Sequence, residues 1–242
     1  MTEIQSAVSN FGLKELQVIF VNDHSDDNTE EILQEWITKN QPIPNFYSIV
    51  NNDSNFRGIS GSLFHVSQKL ISNNYSQETQ ITEIPGNDQL DKDEISKLIR
   101  WGINNTGQTL VTFRTNQNVR PCGKVLFSVV LQWIIGSFVI RGARDITANY
   151  VFPLKLIDKK FPLSWGHGFG LWILHSSYEN KIRISQLPIM LKSGISHRSS
   201  SKSSRKFPRV KNIFEVLYAI ISFLLNGYHF KLVDRTENPT KY

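Results

Sequence analysis

Val18-Ile19-Phe20-Val21 is a run of four apolar residues that stops abruptly at Asn22-Asp23-His24-Ser25-Asp26-Asp27-Asn28-Thr29. An unbroken apolar run of this kind predicts a strand buried on both faces. Asn, Asp and Ser are the residues that turn a chain and cap a helix. Helical spacing follows in Glu30-Glu31-Ile32-Leu33-Gln34-Glu35-Trp36-Ile37, with two Glu in the first turn, where the helix dipole favours them. Strand, acidic turn and helix form an α/β half-unit whose ligands lie at the carboxyl end of the strand. A carboxylate at that end suits a ribose, a base edge or a metal ion better than a bare phosphate.

The alternation continues along the chain. Residues 43–50 predict a short strand, and Asn51 to Ser62 a polar loop containing Gly58, which opens a helix through Leu63, Val66 and Leu70. Residues 80–88 predict a strand ending in a turn, with helical spacing resuming at Ile95, Leu98 and Ile99. Residues 108–118 predict a strand ending at Arg114, and residues 182–189 a further strand. Ahead of the first strand, Ile4, Val8, Phe11, Leu13 and Leu16 predict an amphipathic helix over 3–16. Two longer apolar runs, Val125 to Ile140 and Ile213 to Tyr228, have 16 residues each and polar interruptions. Both fall short of the roughly 20 residues of a membrane span and suit a buried or an interfacial helix.

A chain of 242 residues supports one substantial α/β domain. The single cysteine, Cys122, excludes a disulfide within the chain and fits a reducing compartment. Met1-Thr2-Glu3-Ile4-Gln5-Ser6 has neither the basic start nor the apolar core of a signal peptide. Charge changes the picture more. Residues 1–120 carry 9 Lys+Arg against 15 Asp+Glu, whereas residues 121–242 carry 18 against 6. The second half is therefore where an anionic partner binds: phosphates, or a membrane surface. No nucleic-acid recognition motif accompanies that charge, and nucleic acid is not expected as a partner.

The stretch FVNDHSDDNT resembles the VVDDGSTDGT signature of family 2 glycosyltransferases, which have the GT-A fold and use nucleotide sugars. Asp23, Ser25, Asp27 and Thr29 match it. Asn22 stands at the first Asp, and His24 and Asn28 stand where Gly is usual. The resemblance implies a GT-A (Rossmann-like), mostly parallel sheet flanked by helices, with Asn22, Asp23, Ser25 and Asp27 binding the nucleotide sugar. It also implies a strand ahead of residue 3, central in the family, whose loss would leave an unpaired edge and a cavity. NFRGISGS is similar to the family's Gly-bearing loop, and Arg114 matches a family Ser-Arg strand end; the resemblance adds Gly58 and Arg114 to the nucleotide-sugar site. Aligned on Glu94, the family's metal-binding Asp-x-Asp becomes Gly86-Asn87-Asp88, so Asp88 is the one matching carboxylate, with Asp91 nearby but offset. A Mg2+ or Mn2+ ion held by Asp88 against the donor diphosphate is implied; such ions accept one or two carboxylates plus phosphate oxygens.

Later motifs resemble the polyprenol-phosphate branch, which includes dolichol-phosphate mannose synthase. Asp145 and Thr147 match one segment of it, Ile182 to Ile189 another, and His197 to Ser204 a basic loop that implies Arg198 and Lys202 at the phosphates. A hydroxyl acceptor needs a general base. Between Asp158 and Glu179 the chain has no carboxylate, and only His167 and His175 are conventional bases. A phosphate acceptor is already an anion at neutral pH and needs only cations to position it. Asp88, Asp145, Arg198 and Lys202 are accordingly the expected catalytic set. Residues 1–205 are expected to form the GT-A-like domain and 206–242 a basic, amphipathic C-terminal helix and tail at the cytoplasmic membrane surface. The expected acceptor is a polyprenyl phosphate. The alternatives are a hydroxyl on a cell-surface glycan and a non-catalytic relative.

Overall fold

A computed structural model describes residues 2–9, 11, 16–42, 46–52, 55–56, 58–86, 88–116, 122–145, 148–158, 161, 168–192, 210–226 and 230–231. The chain opens with helix α1 (Thr2–Val8), strand β1 (Val18–Asn22), helix α2 (Thr29–Asn40), strand β2 (Tyr47–Asn51) and helix α3 (Gly58–Ser72). Strand β3 (Gln80–Thr82), helix α4 (Lys92–Asn104) and strand β4 (Thr109–Arg114) follow. Helix α5 (Cys122–Ile134) runs on through a π-helical turn (Ile135–Val139) into the short strand β5 (Ile140–Arg141). Strand β6 (Tyr150–Pro153), helix α6 (Phe169–Glu179), strand β7 (Ile184–Ile189), helix α7 (Val210–Leu225) and strand β8 (Phe230–Lys231) complete it.

β1 and β2 pair in parallel from Val18 opposite Tyr47 to Asn22 opposite Asn51. A second sheet has the order β3-β6-β4-β7. In it β6 runs antiparallel to both neighbours and β4 parallel to β7. This sheet is the wall between two cores. Leu110 and Val151 face one core, with Leu98 and Trp101 of α4 and Ala7 of α1. Their neighbours Val111, Tyr150 and Phe152 face the other, with Leu171 and Leu174 of α6 and Phe223 of α7. That period-2 alternation with both sides apolar is what burial on both faces demands of a strand. Pro188 is tolerated because β7 is the edge strand and needs no ladder donor on its outer side.

The expected elements are present with shifted ends. α1 stops at Val8, well short of residue 16, and of the strand-and-turn stretch expected over 80–88 only Gln80–Thr82 is strand, ending before Pro85 and Gly86. α7 starts at Val210 and ends at Leu225. β6 was not expected at all: four residues ending in Pro carry no readable period. β1 is less enclosed than its composition predicts. Val18, Ile19 and Phe20 are half-buried and Val21 is exposed, and among the described residues its only ladder is to β2.

Candidate functional site

The turn after β1 is organised by its own side chains. Asn22 is buried, and its Oδ1 accepts a hydrogen bond from the Ser25 amide at 3.1 Å. His24 sits at φ 57°, a left-handed conformation that explains why the resembled motif has Gly there; His is among the residues that tolerate it. Asp27 accepts from both the hydroxyl and the amide of Thr29, the first residue of α2, fixing the turn that leads into the helix. The Thr29 hydroxyl and then its amide hold the Asp27 carboxyl below the usual range.

Asp23 ties this turn to the next loop. Its Oδ1 accepts from Asn52 Nδ2 and its Oδ2 from the Gly58 amide, each at 3.0 Å. Asn52, itself buried, also donates to Ser62 Oγ at 2.7 Å and meets His65 Nδ1 through Oδ1 at 3.1 Å. Gly58 lies at φ 75°, which a side chain would strain. At Gly61 a Cβ would come within 2.4 Å of the Phe56 backbone, so the loop crosses α3 only over glycine. Asn22, Asp23, Ser25, Asp27 and Gly58 are thus brought together, at the carboxyl ends of two parallel strands. Asp23 is exposed and each of its oxygens keeps a second lone pair, so a ligand N–H or hydroxyl can still bind it.

β3, β4 and β7 run in one direction, so residues 83–86, 114–116 and 190–192 follow strand ends on one rim, with Asp88 just beyond. Arg114 donates from Nε to Asp145 Oδ2 at 2.7 Å and from an η nitrogen to Asp145 Oδ1 at 2.9 Å. This is a bidentate pair with Asp145 only 1% exposed. Gln186 of β7 fixes the turn beneath it, accepting from the Arg144 amide and donating to the Gly142 carbonyl, both at 3.1 Å. The Arg144 guanidinium covers the Phe113 ring at 4.8 Å. Asp88 sits at φ 58°, exposed, with Lys192 Nζ 3.1 and 3.2 Å from its two oxygens. Lys192 also reaches Glu3 of α1 at 2.9 Å, and these two carboxylates, Glu3 first, raise the Lys192 pKa. Asp91 caps α4, accepting from the Asp93 and Glu94 amides.

One residue absent from the sequence expectations stands on this rim. Glu83 directly follows β3, and burial pushes its carboxyl up to about 7. Its sequence signal is its place as the first carboxylate after the strand; the resembled Asp-x-Asp falls five residues further on, at Asp88. His175, one of the two candidate bases, lies buried on α6 against Phe223 and Trp172, and burial lowers its pKa. His167, Thr147, Arg198 and Lys202 lie outside the described residues.

Among the described residues no three His, Cys, Asp or Glu side chains cluster as a metal cage. Asp88 fits the simpler requirement of an ion that brings its own phosphate oxygens. It is exposed, and Lys192 retains Glu3 as a partner when Asp88 turns to a cation.

Parallel strands ending in acidic, glycine-bearing turns, a sheet with one antiparallel member, and flanking helices define an α/β fold, with the Asp23 cluster at the carboxyl ends of β1 and β2 and the Arg114–Asp145 pair at the carboxyl end of β4 in the separate four-stranded sheet. The fold is that of the GT-A glycosyltransferases. Glucosyl-3-phosphoglycerate synthase from Mycobacterium tuberculosis, solved with Mn2+, uridine diphosphate and glucosyl-3-phosphoglycerate, matches 94% of this chain and 75% of its own at TM-score 0.53 and 13% identity. The same protein solved with Mn2+, uridine diphosphate and phosphoglyceric acid matches 93% and 73% at TM-score 0.52 and 14% identity. With Mg2+ and uridine diphosphate it matches 93% and 74% at 0.50 and 13%. No family model matches the sequence, and no curated protein matches it.

Proposed function

We propose that this chain is a glycosyltransferase that moves a sugar from a nucleoside-diphosphate sugar to a polyprenyl phosphate at a membrane surface. The observation that carries the reading is the Asp23 clamp. One carboxylate joins the turns after β1 and β2 and still presents free lone pairs outward, as a nucleoside subsite requires. The likeness to structures solved with uridine diphosphate supports a nucleotide donor, and their Mn2+ and Mg2+ support a divalent ion. In this reading Asp88 would hold Mg2+ or Mn2+, an ion that would supply positive charge to the donor diphosphate. Asp145 positions Arg114 on the rim, and Arg198 and Lys202 hold phosphates. A phosphate acceptor arrives as an anion, so these residues need to orient it and exclude water rather than remove a proton.

Glu83 favours a second reading. A rim carboxyl near 7 is matched to general-base work, which a hydroxyl acceptor would require. Nucleotide binding is tested first, by thermal shift with uridine and guanosine diphosphates and their sugars, with and without Mn2+. A ligand bound only by the folded state raises Tm with its concentration over Kd. One nucleotide is expected to shift Tm, more so with Mn2+, and Asp23→Ala to abolish the shift. No shift with any of them overturns the reading. Transfer to a polyprenyl phosphate, unaffected by Glu83→Gln, then separates the two acceptors; transfer to a hydroxyl that Glu83→Gln abolishes selects the second.

A further inference from the structure

α7 is apolar on two sides. Val216, Ala219, Ile220 and Phe223 recur at helical spacing and are buried in the core shared with α6. Phe214, Tyr218, Ile221 and Leu225 follow the same spacing one step round the helix and are 66%, 55%, 54% and 82% exposed. α5 repeats the pattern: Leu131 is buried, whereas Leu126, Val129, Val130 and Trp133 are exposed. The two helices are neighbours. Each leads into one strand of the parallel β5–β8 ribbon, and the π-helical turn that extends α5 packs against α7. An amphipathic helix that only served the core would carry polar residues on its outer side. Two adjacent helices with a second apolar stripe mark an interaction surface.

We propose that the outward stripes of α5 and α7 dock on an anionic lipid bilayer. Charge selects this occupant. The half of the chain that holds both helices carries 18 Lys+Arg against 6 Asp+Glu, and in sequence Lys202, Arg205, Lys206 and Arg209 precede α7, whose second residue is Lys211. Arg141 and Lys231 are backbone register partners in the ribbon that follows both helices. Lipid headgroups supply the matching negative potential. Trp133 and Tyr218 are the side chains suited to the headgroup level. Among the described residues no helix is long and apolar enough to cross a membrane, so the contact is with one leaflet. The proposal rests on the acceptor reading above for why a sugar transferase needs a bilayer, and on the geometry for where the bilayer lies.

The test is flotation of the full chain with phosphatidylcholine vesicles, with and without about 30% phosphatidylglycerol. The wild type is expected to float with the anionic vesicles and to be released by about 0.5 M salt. Leu126→Asp with Ile221→Asp is expected to cut the bound fraction about tenfold or more while leaving the circular dichroism and the nucleotide thermal shift intact. If the Asp pair does not fold, Leu126→Ser with Ile221→Ser replaces it. A folded wild type that stays with neither vesicle, or a folded double variant that floats as well as the wild type, overturns the proposal. So does lipid-free self-association that the same substitutions abolish, which would assign the face to a second copy. A chain that shifts with a nucleotide but does not float loses only the docking proposal. One that floats but shifts with no nucleotide loses only the sugar-transfer reading.

Discussion

At Asp145 the chain buries a carboxylate almost completely and balances it with both sides of the Arg114 fork. Removing one partner of such a pair strands the other's charge. Asp145→Ala is expected to cost about 3–5 kcal/mol in urea unfolding. The double change Arg114→Met with Asp145→Leu is expected to recover most of it, because two apolar side chains leave no charge behind. Glu83 makes the opposite case, a carboxyl held back from ionising. Its pKa of about 7 lies above the ordinary 4.5. As pH rises between those values the unfolded chain ionises and the folded chain resists, so stability falls over this window and is level above it. The penalty is at most about 3 kcal/mol. Glu83→Gln is expected to flatten that slope and to be the more stable form at about pH 8. Equal slopes for both proteins would show that Glu83 ionises freely.

At the scale of elements, the loop between β2 and α3 is the most demanding piece. Asp23 holds it from one side, and Gly58 and Gly61 let it pass close to α3. Gly61→Ala forces the Phe56 backbone away and is expected to destabilise by about 1–3 kcal/mol. It also moves the Gly58 amide off Asp23, so the nucleotide thermal shift is expected to fall with it. A variant that loses stability and keeps its full shift would detach the loop from the site. The motif NFRGISGS was legible as a Gly-bearing helix start. Which glycine was needed for φ and which for space depended on Phe56, and only the folded loop shows that contact.

Across the whole molecule, Lys192 joins three distant parts of the chain: Glu3 on α1, Asp88 after β3, and its own place after β7. This network would compete for Asp88 with the cation proposed there. Lys192→Met is expected to lower, several-fold, the Mn2+ concentration that gives half of the nucleotide-dependent Tm shift. An unchanged requirement would remove Asp88 from the metal site. The same long-range logic limited the reading of the rim. Lys192 and Glu3 carry no motif, and Gln186 looks like an ordinary strand residue until the fold places it under the 142–144 turn.

The alternation of strands and helices, the acidic turn after β1, the glycine loop after β2 and the charge of the second half are all legible along the chain. These are local properties, set by runs, spacing and turn chemistry within a dozen residues. Only the tertiary structure decided that β6 inserts antiparallel between β3 and β4. It alone decided that Arg114 meets Asp145 across 31 positions and that Lys192 meets Asp88 across 104. It also decided which apolar stripe of α5 and of α7 the core takes. An apolar residue is equally ready for a core or a membrane, and which it meets depends on how the rest of the chain has folded around it.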